Sequence, residues 1–240
     1  GNATDLLTSP IEKDLGVDIN DLNMVIVTDR LTRVVIQKKG VPWGPTFAGM
    51  VEYVKKNPGK VVYSAPGVGS GSDIGMTYML QKAGIADKVK KVPGANTKES
   101  NTIVAAGMAD FGYARMDTFL PHWEAKKIDA TMFTSPVPPP WNKDKNIITA
   151  EQYGLDRNMG DILLGYAVPK EVPKAHVEWL FKLLKAGASQ ASYKKREQLF
   201  PGTAIGPFLD PAQSMKLVKD ILVSSEPIIR EMGLHWEQQK

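Results

Sequence analysis

The residues of this chain best suited to chemistry lie in a glycine- and serine-rich loop at 66–73. The loop follows a short apolar run and precedes a helical pattern that extends to about Lys82. A helix start presents unpaired backbone N–H groups and a partial positive charge, so it attracts an anion. The sequence therefore predicts an anion-binding turn. The residues expected to form it are Gly69, Ser70, Gly71, Ser72 and Asp73.

The same loop does not fit a nucleotide site or a catalytic serine. Its Gly-x-Gly-x-Gly order lacks the third glycine of the dinucleotide spacing, and no lysine follows as a phosphate loop requires. Ser70 lies in the wrong frame for a nucleophile elbow. No pair of His, Asp or Glu has helical metal-ligand spacing. We therefore expect no catalytic residue, no metal and no cofactor.

Two further turns resemble the first in composition. One contains Asn96 and Thr97 at a predicted helix start, and the other begins at Arg115, where a predicted strand ends. The Arg115 guanidinium suits bidentate pairing with a ligand carboxylate. A structural salt bridge to Asp117 or Asp73 is an equal alternative. The sequence alone leaves the two open.

The elements that position these turns alternate between strand and helix. Apolar runs predict strands at 24–27, 33–37, 61–64, 89–92, 111–114, 128–133 and 163–168. Helical patterns begin at Thr46, near Ser70, and at 97 and 118, and two more follow near the C-terminus. The last has Asp210 as N-cap, and Pro227 is expected to kink or end it. The alternation predicts an α/β fold with a mostly parallel sheet, which brings the three turns to one edge.

Composition excludes several classes of function. The net charge is +4, but the basic residues are scattered and are not interleaved with aromatic ones, so nucleic-acid binding is not expected. The absence of cysteine excludes disulfides and thiolate sites. No apolar run is long enough to cross a membrane, and the first residues do not resemble a signal peptide, although a processed start remains open. The proline cluster at 135–141 predicts an extended connection.

The order of these motifs resembles one family, the periplasmic solute receptors of tripartite tricarboxylate transporters (Bug-type extracytoplasmic receptors). No single motif is decisive, and the resemblance extends from about Thr4 to the C-terminus. It is carried by the order and spacing of the segments 55–60, 64–70, 92–93, 106–110, 120–122 and 125–127.

The resemblance implies a two-lobed Venus-flytrap fold of the type II periplasmic binding class. Residues 1–40 and 162–240 would form the first lobe, and 41–161 the second. Small carboxylates would be held at strand-to-helix turns of both lobes, which adds Thr4 to the expected ligand-binding residues. Asp73 stands where the family frequently has His, which suggests an altered preference for ligand charge. The family's N-terminal βαβαβ segment is expected to be missing from this chain.

The function implied is capture of a small organic anion outside the cytoplasm and its delivery to the membrane permease subunits of the transporter. A transcription regulator's effector-sensing domain has the same architecture and is the main alternative. It would require a DNA-binding helix-turn-helix upstream. An enzyme of unknown type is the third possibility, but the sequence offers no reactive site for it.

Overall fold

The computed structural model describes residues 16, 18–134, 147–156, 162–195 and 203–238. The chain divides into two compact units, one made of Gly1–Leu31 with Ile162–Lys240, and the other of Thr32–Asp161. The chain therefore first crosses from one unit to the other after Leu31, whereas the sequence predicted this crossing near residue 40. The crossing comes earlier because the strand at 33–38 pairs within the sheet of the second unit. The proline cluster at 135–141 and Thr4 lie outside the described residues.

The strands are β1 (Leu22–Leu31), β2 (Arg33–Lys38), β3 (Val61–Ala65), β4 (Val89–Pro93), β5 (Phe111–Arg115), β6 (Ile128–Phe133), β7 (Ile148–Thr149), β8 (Ile162–Pro169) and β9 (Thr203–Leu209). The α-helices are α1 (Phe47–Lys56), α2 (Gly71–Lys82), α3 (Thr97–Ala105), α4 (Met116–Glu124), α5 (Lys174–Ala188), α6 (Ala191–Lys194) and α7 (Pro211–Glu231). Short 3₁₀ turns occur at Ile19–Asp21, Ala86–Lys88, Glu151–Tyr153 and Trp236–Gln238.

The first unit is built around an antiparallel sheet with strand order β8-β1-β9. The central strand β1 contacts both long helices of the unit, α5 and α7. Met24 and Val27 pack with Val218 of α7, whereas Val25 and Ile26 pack with Val177 of α5. Burial of these side chains on both faces of β1 supplies the hydrophobic stabilisation of the unit.

Helix α7 does not end at Pro227, contrary to one of the two outcomes expected from sequence. The helix begins with Asp210 as N-cap, as predicted, and continues through the proline to Glu231. A proline within a helix removes one hydrogen bond and crowds the preceding turn. Ile228 and Ile229, directly after the proline, are buried, and their packing offsets this loss.

The second unit contains a six-stranded sheet with order β4-β3-β5-β2-β6-β7. Strands β4, β3 and β5 are parallel, because the helices α2 and α3 return the chain to the same edge after each strand. Strand β2 enters directly from the first unit and is antiparallel to both β5 and β6. The three predicted turns therefore open at one edge of the sheet, and β2 begins at that same edge.

Helix starts in this unit follow their sequence signals. Thr46 caps α1 by accepting a hydrogen bond from the backbone N–H of Gly49, and Ser70 and Asn96 cap α2 and α3 in the same manner. Helix α4 begins two residues before the predicted Thr118 and ends at Glu124. Among the described residues, no helix combines the length and the apolar character needed to span a bilayer.

Candidate functional site

The first turn joins β3 to α2 and already holds a carboxylate of the chain itself. Asp73 is 1% exposed, and its Oδ2 accepts a hydrogen bond from the backbone N–H of Gly69 at 3.3 Å. Its Oδ1 forms an ion pair with Nζ of Lys91 on β4. The Ser70 hydroxyl accepts from the backbone N–H of Asp73 at 3.2 Å. The predicted anion position next to Gly69 is thus occupied internally.

Two further backbone N–H groups of the first turn belong to the start of α2. Gly71 and Ser72 are the first residues of α2, and N–H groups at these positions have no acceptor within a helix. They lie at the positive end of the helix dipole of α2.

The buried charge of Asp73 affects a neighbouring tyrosine. Tyr63 on β3 is buried, and its ring centroid lies 5.6 Å from that of Phe111. Burial, and secondarily the negative charge of Asp73, raise the pKa of the Tyr63 phenol to about 12. Tyr63 is therefore a neutral hydroxyl at physiological pH.

Arg33 is the residue at this edge that sequence reasoning missed. It begins β2, is buried, and pairs in register with Arg115 of β5. One guanidinium nitrogen donates a hydrogen bond to the Ser72 hydroxyl, and the guanidinium carbon lies 5.2 Å from the centroid of the Tyr113 ring. The sequence signal that could have pointed to Arg33 is a positively charged residue at the start of a largely apolar strand. Its position beside Arg115 required knowledge of the antiparallel pairing.

The second turn, between β4 and α3, also contains an internal carboxylate. Asn96 caps α3, because its side-chain oxygen accepts from the backbone N–H of Glu99 at 3.0 Å. The Glu99 carboxylate reaches back to the backbone N–H of Ala95 at 2.7 Å. Thr97, the first residue of α3, keeps its N–H without an intrahelical acceptor.

The third turn is at Arg115, where β5 ends and α4 begins with the next residue. The guanidinium of Arg115 binds Asp117 in bidentate fashion, with Nε at 3.0 Å from Oδ1 and a second nitrogen on Oδ2. Hydrogen bonding to Asp117 raises the pKa of the Arg115 guanidinium above its ordinary value. Of the two salt bridges considered for Arg115, the structure forms the one to Asp117, since Asp73 is paired with Lys91.

A buried polar residue links the second turn to the third. Asn101 of α3 donates through Nδ2 to the Thr118 hydroxyl at 2.8 Å, and Thr118 donates to the carbonyl of Arg115. Among the described residues, the Oδ1 atom of Asn101 and the hydroxyls of Ser64 and Ser100 are buried without a hydrogen-bond partner. The described ranges contain no cluster of three His, Asp or Glu side chains suited to a metal ion.

The architecture is that of the two-lobed type II periplasmic binding proteins. A solute-binding protein from Polaromonas has a TM-score of 0.82 with this chain at 15% identity, over 95% of this chain and 76% of its own length. An R. palustris protein solved with adipate has a TM-score of 0.74 at 18% identity, over 97% of this chain and 76% of that one. The α/β fold class predicted from sequence is therefore confirmed.

The sequence itself matches the family described as "Tripartite tricarboxylate transporter family receptor" over residues 3–234. The chain belongs to this family. It is also 21% identical to a UPF0065 protein of Bordetella pertussis, over 98% of this chain and 71% of that protein. The predicted family is confirmed, and because it is a family of receptors, the expectation that the chain is not an enzyme is confirmed as well.

Proposed function

We propose that this protein is an extracytoplasmic receptor that binds a small organic anion through a carboxylate and delivers it to the permease subunits of a tripartite tricarboxylate-type transporter. The observation that carries the proposal is the convergence of three strand-to-helix turns at one edge of the second unit's sheet. Ligands of α/β proteins bind at the carboxyl ends of such strands. Membership of a receptor family supports the transport role over that of an effector-sensing domain.

The backbone of the turns supplies the donors for a carboxylate. The N–H groups of Gly71, Ser72 and Thr97 lie at the positive ends of α2 and α3, where a carboxylate gains charge-assisted hydrogen bonds. Gly69, Ser70 and Asn96 shape the turns through their own hydrogen bonds, and Asp73 fixes the local charge. Thr4 is retained in the proposal from the family resemblance.

Two guanidinium groups flank these donors. Arg115 uses one edge of its guanidinium for Asp117 and is partly exposed, so its remaining N–H groups are able to reach a ligand. Arg33 lies beside it in register and contacts Ser72 at the first turn. We assign Arg115 the direct contact with the carboxylate. Arg33 holds the Ser72 hydroxyl and adds positive potential at the same edge.

The carboxylate class is supported by one structural relative, since the R. palustris protein was solved with adipate. A screen of organic acids by thermal unfolding tests the proposal. A ligand that binds only the folded chain raises the melting temperature when its concentration exceeds the dissociation constant. We expect stabilisation by at least one carboxylate, and none by the corresponding amide or alcohol. Failure of every carboxylate to stabilise the chain would contradict the proposed function.

A further inference from the structure

Helix α4 begins without the side-chain cap that α2 and α3 have. Ser70 and Asn96 cap α2 and α3 through side-chain oxygens, whereas Arg115, at the corresponding position of α4, makes no such bond within the described part of the chain. An arginine side chain has no acceptor atom and therefore cannot cap a helix start. Other groups must hold the backbone where α4 begins.

Two hydrogen bonds hold the backbone at this helix start. The N–H of Met116 donates to the carbonyl of Thr32 at 3.4 Å. The Thr118 hydroxyl donates to the carbonyl of Arg115 at 3.0 Å and accepts from Nδ2 of Asn101 at 2.8 Å. Because the amide of Asn101 occupies a lone pair of this hydroxyl, the single hydroxyl proton is directed to the Arg115 carbonyl. Asn101 thus anchors Thr118 to α3 and sets the direction of the bond that holds Arg115.

The amide of Asn101 is unfavourable for the stability of the fold. The side chain is fully buried on the same helix as the core residues Ile103 and Val104, and its Oδ1 has no hydrogen-bond partner among the described residues. A buried acceptor without a partner destabilises the folded state, and a leucine of similar shape carries no such penalty. Stability alone would therefore favour leucine at this position. The asparagine indicates a role for its Nδ2 donor other than stability.

We propose that Asn101 is a positioning residue for Arg115: through the Thr118 hydroxyl it fixes the start of α4 and thereby the direction of the Arg115 guanidinium. The guanidinium is bound to Asp117, two residues further along, so a displacement of the helix start moves both partners of this ion pair. The same two hydrogen bonds fix the third turn against α3, the helix that begins at Thr97. The consequence for binding rests on the proposed function, in which Arg115 contacts the carboxylate of the ligand.

Hydrogen exchange at Nε of Arg115, followed by NMR on a chain with isotope-labelled arginine, tests the inference without a ligand. This N–H donates to Oδ1 of Asp117 at 3.0 Å, so its exchange rate reports how firmly the guanidinium is held. Asn101→Leu should not lower the melting temperature, yet it should raise the exchange rate about fivefold, because Thr118 is then no longer anchored to α3.

Two variants of Thr118 separate positioning from a general effect on folding. Thr118→Val removes the hydroxyl and should raise the exchange rate at Arg115 as Asn101→Leu does, and the double variant should show no larger increase. Thr118→Ser keeps the hydroxyl and should leave exchange slow. Nε of Arg230 is the internal control, since it donates to a Glu226 carboxylate oxygen at the same 3.0 Å in the first unit.

Unchanged exchange at Arg115 in Asn101→Leu and Thr118→Val would overturn the inference. Equal acceleration at Arg230 would overturn it as well, because it would indicate a general loosening of the chain. Titration with adipate measures the consequence for binding, and the dissociation constant should rise about fivefold in Asn101→Leu. Absence of adipate binding by the natural chain would count against the proposed function, whereas the exchange rates would still decide the role of Asn101.

Discussion

The first and third turns of the second unit both pair an aspartate with a cation, but the two pairs differ in burial. Asp73 is almost fully buried beside Lys91, whereas Arg115 and Asp117 are 38% and 24% exposed. Loss of one member of a buried pair leaves an uncompensated charge, while an exposed pair contributes little to stability. The first pair therefore belongs to the framework of the turn, whereas the third is more exposed, as the proposed contact between Arg115 and a ligand requires.

The largest expected difference between the two pairs is in their contributions to the free energy of unfolding. Asp73→Ala should lower the free energy of unfolding by about 3 kcal/mol, because it strands Lys91 and removes the acceptor for the Gly69 N–H. Asp117→Ala should lower it by less than about 1 kcal/mol, since its partner remains hydrated. Equilibrium unfolding in urea measures both values. Equal losses in the two variants would refute the distinction between the pairs.

The burial of Tyr63, and secondarily the negative charge of Asp73, also predicts a dependence of stability on alkaline pH. The pKa of Tyr63 is about 12 in the folded chain, above the value of about 10 in the unfolded chain. The unfolded chain therefore loses this proton first, and the contribution of Tyr63 is complete below pH 10 and declines as the pH rises toward 12. Between pH 9 and pH 11 the expected loss is about 1 kcal/mol.

Unfolding measured at pH 9 and pH 11 checks this decline against a Tyr63→Phe control, which lacks the ionisable group. The difference between the two pH values should be larger in the natural chain. An identical difference in the Tyr63→Phe variant would show that Tyr63 does not carry the effect.

A smaller expected effect concerns ligand affinity and tests the role of Arg115 in the third turn. Arg115→Ala should weaken binding of a carboxylate ligand about tenfold, or about 1.4 kcal/mol, because it removes the proposed direct ionic contact. Arg230→Ala serves as the control, since Arg230 is also paired with glutamates but lies in the first unit. Titration calorimetry reports the affinities. Unchanged affinity in Arg115→Ala would eliminate its direct role.

The elements and turns could be predicted from sequence because their signals are local. Thr46, Ser70, Asn96 and Asp210 mark helix starts through side-chain caps only three residues from their donors. The apolar runs likewise predict the described strands except β7 and β9, and β6 has the predicted bounds. Such features depend on neighbouring residues and not on the tertiary arrangement.

The chemistry of the turns was less predictable because its partners are distant in sequence. Lys91 reaches Asp73 only because β4 lies parallel beside β3 at the sheet edge, and Arg33 meets Ser72 and Arg115 only through the antiparallel placement of β2. The same placement moves the unit boundary to Leu31. Sequence periodicity indicates strands without stating their order or direction.

The most direct test of the account is an NMR titration of the isotope-labelled chain with a carboxylate that stabilises it. We expect the largest backbone amide shifts at Gly71, Ser72 and Thr97, whose N–H groups are proposed to receive the carboxylate. Smaller shifts should follow at Gly69, whose N–H is held by Asp73. Saturable binding without amide shifts at Gly71, Ser72 and Thr97 would contradict the claim that the starts of α2 and α3 receive the carboxylate.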